Sequence, residues 1–354
     1  MIIRPKHYLL LILGFILSSG IFYVNYFLFH GNTFGSCLYL SVFTFLLWWF
    51  CWSLYFEIRD FWQFRWYGQE VDRTSIEITP LTIPLNFTPD NDETIIAKRN
   101  QKHLGGEWIR RHDISNDAPI VIFVHGFSDD SVYIRHYTIP LAQAGFNVIA
   151  YDNRGTKKSK KAGRKSQFVQ IVNDLNEVIM FIRHDSRFSH LDVHLIGISL
   201  GAIAVIRQGL QFATQQWCGK IIAISTMSNY KKSIPFSPVP FLKNWWLLLR
   251  YTFFGVPINP IPEINFVLSP VLQIRSKKGE KNTQLNTVIK EKFNLIHAEN
   301  DAIIPVSHFW ENLNELNLEF SHWLLTKKGG HNFLRYEPLV LTQILRILWD
   351  NSKI

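Results

Sequence analysis

Residues 193–201, V-H-L-I-G-I-S-L-G, allow few conformations. A short run of β-branched and apolar residues from Val193 to Ile196 stops at Gly197-Ile198-Ser199-Leu200-Gly201, and a second apolar segment begins at once. That segment, L-G-A-I-A-V-I-R-Q-G-L over 200–210, repeats its apolar residues at helical spacing and keeps small Gly201, Ala202 and Ala204 near its start. The stretch reads as strand, sharp turn and helix. Glycines flank Ser199 because no side chain fits beside a residue on so tight a turn, and the turn lifts the serine hydroxyl clear of the sheet. With 19 glycines in the chain the five-residue pattern is weak alone, so its context carries the assignment.

The surrounding chain repeats the same alternation. Buried strands are predicted at 120–124 (I-V-I-F-V), 147–151, 220–224 (K-I-I-A-I), 293–297 (F-N-L-I-H) and 320–325, and helices at 131–144, 167–183, 307–316 and 339–349. Strands separated by helices at this spacing imply a parallel sheet with right-handed crossovers. Before them, 75–87, 93–100 and 107–112 read as strands of an antiparallel start to the sheet. Pro80, Pro84 and Pro89 interrupt the first two of these and keep them at an edge or in turns. The alternation breaks between about 226 and 290. Prolines there bracket 241–255, F-L-K-N-W-W-L-L-L-R-Y-T-F-F-G, which is too short and too charged to span a bilayer. It reads as a cap inserted over the C-terminal ends of the strands, or as an ordinary core helix.

Residues 1–70 differ from this pattern. Residues 8–29 and 37–56 are stretches of 22 and 20 residues without a charge, each long enough to cross about 30 Å of hydrocarbon as a helix. They are expected to form a transmembrane hairpin ahead of a catalytic domain over 71–354. A cleaved signal peptide ending near Gly20 is the alternative for the first stretch, although its apolar run continues past that point and a second span follows. Arg4 and Lys6 precede the first span, the link 30–36 has no Lys or Arg, and Arg59, Arg65 and Arg73 follow the second. The positive-inside rule then puts both termini and the catalytic domain in the cytoplasm, with the lipid bilayer as a partner. Three cysteines, two of them within the second span, suit a reducing compartment and supply no disulfide framework or metal-ligand spacing.

A net charge of +9 is concentrated partly in 154–165, R-G-T-K-K-S-K-K-A-G-R-K, which carries seven cations and no acid. Such a run holds anionic lipid headgroups, nucleic acid or only water. No nucleic-acid motif accompanies it, so no nucleic-acid partner is expected.

A serine hydroxyl is a poor nucleophile until a base takes its proton, and the base works better when a carboxylate holds its ring. Asp301 follows one predicted strand and His331, after Gly329-Gly330, follows the next, which places both at the same sheet edge as Ser199. Glu299 is the nearest rival for the acid. A tetrahedral intermediate also needs N–H donors for its oxyanion. Leu200, after the nucleophile, and Phe127, after His125-Gly126, are the candidates.

His125-Gly126-Phe127, Asp152-x-Arg154-Gly155, Gly197-Ile198-Ser199-Leu200-Gly201, Asn300-Asp301-x-Ile303-Ile304-Pro305 and Gly330-His331 occur in that order. In these the chain resembles the α/β-hydrolase superfamily over roughly residues 74–349, and among its members the membrane-anchored lipases and esterases. The resemblance implies an α/β fold with an eight-stranded, mostly parallel sheet, flanking helices and a cap. It also implies hydrolysis of esters, amides or thioesters without a cofactor or metal. The lysine-rich 156–166 departs from the more compact glycine and serine turn typical of the family. The leading expectation is a membrane-anchored serine hydrolase cleaving a lipid or other acyl ester. An amidase, peptidase or thioesterase with the same residues is the alternative, followed by an inactive hydrolase fold serving as a binding module.

Overall fold

Apolar runs with no polar alternation need cover on both faces, and a parallel sheet flanked by helices provides it. In the computed structural model the strands β3 (Ile120–Val124), β4 (Asn147–Tyr151), β5 (Val193–Ile198) and β7 (Phe293–Ala298) are buried at every residue, and β6 (Cys218–Ile224) nearly so. With β1 (Ile76–Pro84), β2 (His103–Arg111) and β8 (Trp323–Thr326) they form one eight-stranded sheet in the order β1-β2-β4-β3-β5-β6-β7-β8. The β1–β2 and β2–β4 pairs are antiparallel and the other pairs parallel.

The chain divides into two units, Met1–Val71 and Asp72–Ile354. The structure describes residues 44, 74–85, 102–115, 117–126, 129–163, 168–228, 283–301, 303–333 and 338–350. Both expected membrane spans, Thr44 apart, lie outside the described residues, as do the expected strand 93–100, Phe127 and the cap residues 229–282. Among the described residues no helix is long and apolar enough to cross a membrane.

Helices α1 (Arg135–Gln143), α2 (Phe168–His184) and α3 (Leu200–Phe212) connect β3 to β4, β4 to β5 and β5 to β6. Next come α4 (Thr283–Lys292) before β7, α5 (Ser307–Leu316) before β8, and α6 (Gly330–Phe333) and α7 (Pro338–Trp349) after it. The core lies between sheet and helices. Ile171, Val172, Leu175, Val178, Ile179 and Ile182 of α2 are buried against Ile203, Val205 and Ile206 of α3 and the strands below. Because the connection after β3 runs to β4 on one side and the connection after β5 runs to β6 on the other, a crevice opens between the C-terminal ends of β3 and β5.

Several expected boundaries move, each for a local reason. Strand β2 begins at His103 rather than 107 and runs through Gly105-Gly106, because a side chain at 105 would overlap Lys158 and one at 106 would press on the Ala150 carbonyl. Those glycines serve close approach, not a turn. Helix α1 begins at Arg135 rather than 131, since the N–H groups of Val132 and Tyr133 turn onto Asp130 Oδ1 at 2.9 Å and that of Ser131 onto Asp152 at 2.7 Å. Residues Phe320–His322 form a 3₁₀ turn before β8. His331, expected in a loop, sits in the short α6.

Part of the lysine-rich run is engaged by the fold. Lys157–Ala162 folds as 3₁₀ turns, in which Lys157 pairs with Asp130 at 2.8 Å and Lys158 with buried Glu107 at 2.5 Å. The Lys158 N–H donates to Asp152, and Ser159 Oγ accepts the Gly105 N–H at 2.9 Å. Arg154 makes a two-bonded ion pair with Asp174 on α2. Lys157, Lys158, Lys160 and Lys161 are all exposed, the first two while paired with an acid.

Candidate active site

The turn after β5 puts Ser199 at φ 55° and ψ −115°, a conformation that L-residues seldom adopt and that packing around it enforces. A side chain at Gly197 would overlap the Gly201 carbonyl, and one at Gly201 would overlap the Val124 carbonyl. The Ser199 N–H donates to the Ile224 carbonyl at 2.9 Å, fastening the turn to the end of β6. Ser199 therefore stands at the head of α3, over the crevice. Leu200, the first residue of that helix, has an N–H among the first-turn donors that no helical carbonyl reaches.

The loops after β7 and β8 bring the two other expected residues to it. His331 Nε2 lies 3.0 Å from Ser199 Oγ, and His331 Nδ1 lies 2.8 Å from Asp301 Oδ2. With Nδ1–H donating to the carboxylate, the Nε2 lone pair faces the serine hydroxyl. Asp301 is buried, and its other oxygen accepts the N–H groups of Ile303 at 2.9 Å and Ile304 at 2.8 Å. Burial alone would raise its pKa, but the facing His331 and these donors outweigh it and hold the carboxyl below its usual range. Glu299, the rival acid, is exposed. The Gly330 N–H donates to Asn300 Oδ1 at 2.8 Å, so the residue beside Asp301 also positions the loop that carries His331. The described residues hold no cluster suited to a metal ion.

The sequence does not show how His125-Gly126, ahead of Phe127, is held. Buried His125 donates from Nδ1 to the Gly126 carbonyl at 2.6 Å, and its Nε2 accepts the Asn153 N–H at 2.8 Å. Asn153 Nδ2 in turn donates to the His125 carbonyl at 3.1 Å. The loops leaving β3 and β4 are thus clamped together at the crevice. Burial pushes the His125 pKa down, which keeps the ring neutral and Nε2 an acceptor. Phe127, the expected second oxyanion donor, follows directly but lies outside the described residues. Only the His-Gly and Asp-x-Arg-Gly patterns flagged this region, and neither tells which groups meet.

A second serine and histidine meet after β6, where Ser228 Oγ lies 2.7 Å from His308 Nδ1 and donates to Glu311 at 2.6 Å. Ser228 is fully buried, so this group ties the loop to α5 and offers no nucleophile to a substrate.

A family model and several solved structures are similar to the chain. Residues 115–256 match the family model described as serine aminopeptidase, S33. An esterase from Pyrococcus furiosus is similar in structure, with a TM-score of 0.50 at 19% identity over 78% of this chain and 91% of that one. An acylaminoacyl peptidase from Pyrococcus horikoshii aligns with a TM-score of 0.49 at 17% identity, covering 79% of this chain and 42% of that one. Acetyl xylan esterase 1 from Thermoanaerobacterium aligns at 0.47 and 14% identity over 79% and 86%. At these identities the likeness to the first is one of fold.

Proposed function

We propose that this chain, a serine hydrolase of the α/β-hydrolase superfamily by its family match over residues 115–256, is a membrane-anchored enzyme that cleaves a carboxylic ester of a lipid or other acyl substrate at the cytoplasmic face. Ser199 is the nucleophile, His331 the general base and then acid, and Asp301 the carboxylate that orients the ring. The N–H groups of Phe127 and Leu200 receive the oxyanion.

The observation that carries this reading is the unbroken line from Ser199 Oγ through His331 to Asp301, at 3.0 Å and 2.8 Å. Along it, His331 Nε2 takes the hydroxyl proton as Oγ bonds to the acyl carbon. The same proton passes to the leaving alkoxide as the C–O bond breaks, and an acyl-enzyme remains. Water then repeats the steps in reverse. Asp301 stabilises the imidazolium formed on the way and need not itself be protonated. No cofactor or metal enters these steps. Two uncharged stretches of 22 and 20 residues support the anchor.

The test combines a fluorophosphonate probe with p-nitrophenyl esters of graded chain length, on detergent-solubilised full chain. Labelling of the wild type, its loss in Ser199→Ala, and a preference for long acyl chains are the expected results. A wild type that resists the probe would support an inactive binding module. The serine aminopeptidase model matched by residues 115–256 favours a second reading, an amidase or peptidase using the same three residues. Turnover of aminoacyl amides well above that of esters would select it.

A further inference from the structure

We infer that His297, at the end of β7, is a positioning residue that holds Asp301 in register with His331. Its ring is buried, stacked against Phe309 with centroids 5.8 Å apart. Its Nε2 lies 3.0 Å from the Ile304 carbonyl, an acceptor only, so Nε2 carries the proton and donates. Ile304 is also the residue whose N–H donates to Asp301 Oδ1 at 2.8 Å. The N–H groups of Ile303 and Ile304 thereby meet the carboxylate, and the Ile304 carbonyl is held by His297. Asp301 Oδ2, the oxygen that meets His331, lies 3.9 Å from the same Nε2, beyond hydrogen-bond reach. His297 therefore acts on Asp301 through the loop and not by a bond of its own.

The charge around the ring suits that role. The titratable groups facing it are Asp301 on the adjoining loop, His331 on α6 and His308 on α5. Burial holds the His297 pKa below its usual value despite the nearby carboxylate, so the ring stays neutral beside Asp301 and leaves His331 as the proton acceptor next to the serine. Without the bond to Ile304, the loop loses its fixed end and the N–H donors at 303 and 304 drift from Oδ1. Small misplacements in such a line are costly, since a displacement of about 1 Å can reduce rate by about 100-fold.

The inference rests on the roles proposed above for Ser199, His331 and Asp301. The experiment compares kcat and KM on a short soluble ester for the wild type, His297→Phe, His297→Gln, Asp301→Asn and the double variant His297→Phe/Asp301→Asn, with thermal melting of each. His297→Phe keeps the ring's shape without its donor and is expected to lower kcat by about 10- to 100-fold with KM little changed. His297→Gln, whose carboxamide can donate from nearly the same place, is expected to recover most of the loss. Once Asp301→Asn has removed the carboxylate, adding His297→Phe should cost little more, because both act on one unit.

Unchanged kcat in a folded His297→Phe protein would overturn the inference, as would independent, multiplying losses in the double variant. If His297→Phe does not fold, His297→Gln decides: near wild-type kcat supports the donor role, and a tenfold or larger loss in a folded protein defeats it. Failure of the underlying reading looks different, because Ser199→Ala would then keep wild-type activity whatever the His297 variants do.

Discussion

At the scale of single residues, the site depends on an ionised Asp301 and on a serine and a histidine placed within hydrogen-bond distance. Ser199→Ala, His331→Ala and Asp301→Asn should each lower kcat/KM on a soluble ester by about a thousandfold or more while leaving the melting transition in place, since each removes part of one proton relay. Wild-type activity in any folded member of the set would remove that residue from the mechanism. A second residue-scale consequence lies away from the site, at His194 in β5. Burial, with Lys220 and Lys292 nearby, pushes its pKa down to about 4, while Nδ1 accepts the Lys220 N–H at 2.8 Å. An unfolded histidine titrates near 6.5, so between about pH 6.5 and pH 4 the unfolded chain takes up a proton that the fold refuses. Stability should therefore fall as pH drops through this window, by about 3 kcal/mol from His194 alone. His125 and His297, also held below their usual values by burial, act in the same direction. Denaturant midpoints at pH 7.5 and 4.5 test this, and His194→Phe, though weaker at pH 7.5, should show a smaller drop between them. An equal drop would place the acid sensitivity elsewhere.

At the scale of elements, the strand-turn-helix around Ser199 is set by two glycines for reasons of contact. A methyl at Gly201 would run into the Val124 carbonyl, part of a central strand that cannot retreat, whereas one at Gly145 would meet nothing within 4 Å. Gly145 has φ 96°, so its substitution carries backbone strain alone. Gly201→Ala is expected to cost about 3 kcal/mol or more, or to prevent folding, and Gly145→Ala about 1–2 kcal/mol. Urea unfolding of both variants gives the comparison, and equal costs would contradict the packing described. This contrast shows what was legible in the sequence. The runs 120–124 and 147–151 gave their strands to the residue, because a short, mostly apolar run between helical segments has one natural place in a parallel sheet. Ser199, Asp301 and His331 were legible as positions after strands, since topology brings loops after parallel strands to one edge. Long-range polar pairings were not legible. Nothing in the spelling of His125, Asn153 or Asn300 says that they meet Asn153, His125 and Gly330, because such bonds depend on three-dimensional register and leave no periodicity. Gly105-Gly106 misled for a related reason, as a glycine needed for close approach looks the same in sequence as one needed for a turn.

At the scale of the whole molecule, the excess of positive charge has been divided by the fold into structural and available parts. Lys157 and Lys158 are engaged by Asp130 and Glu107, and the Glu107 carboxyl also takes Arg135 at 2.7 Å. Burial would raise the Glu107 pKa, but Arg135 and Lys158 prevail and keep it ionised. Lys158→Gln should therefore lower the urea midpoint of unfolding, equally with and without lipid present. Lys160 and Lys161 are exposed on the same 3₁₀ segment, which leaves the C-terminal end of β4, the sheet edge that also carries Ser199. If residues 8–56 anchor the chain as proposed, these two lysines suit an anionic leaflet, each contributing about 1 kcal/mol near the surface and screened beyond a Debye length of about 8 Å. The double variant Lys160→Gln/Lys161→Gln should then lose up to about 30-fold in association with vesicles containing phosphatidylserine. Its activity on lipid presented in those vesicles should fall in parallel, and its activity on a soluble ester should not change. Raising the salt should erase the difference on vesicles, because exposed charges are screened. An equal loss on both substrates would assign the lysines to folding or to the site itself. No loss on either would leave them to solvent and the anchor as the sole hold on the membrane.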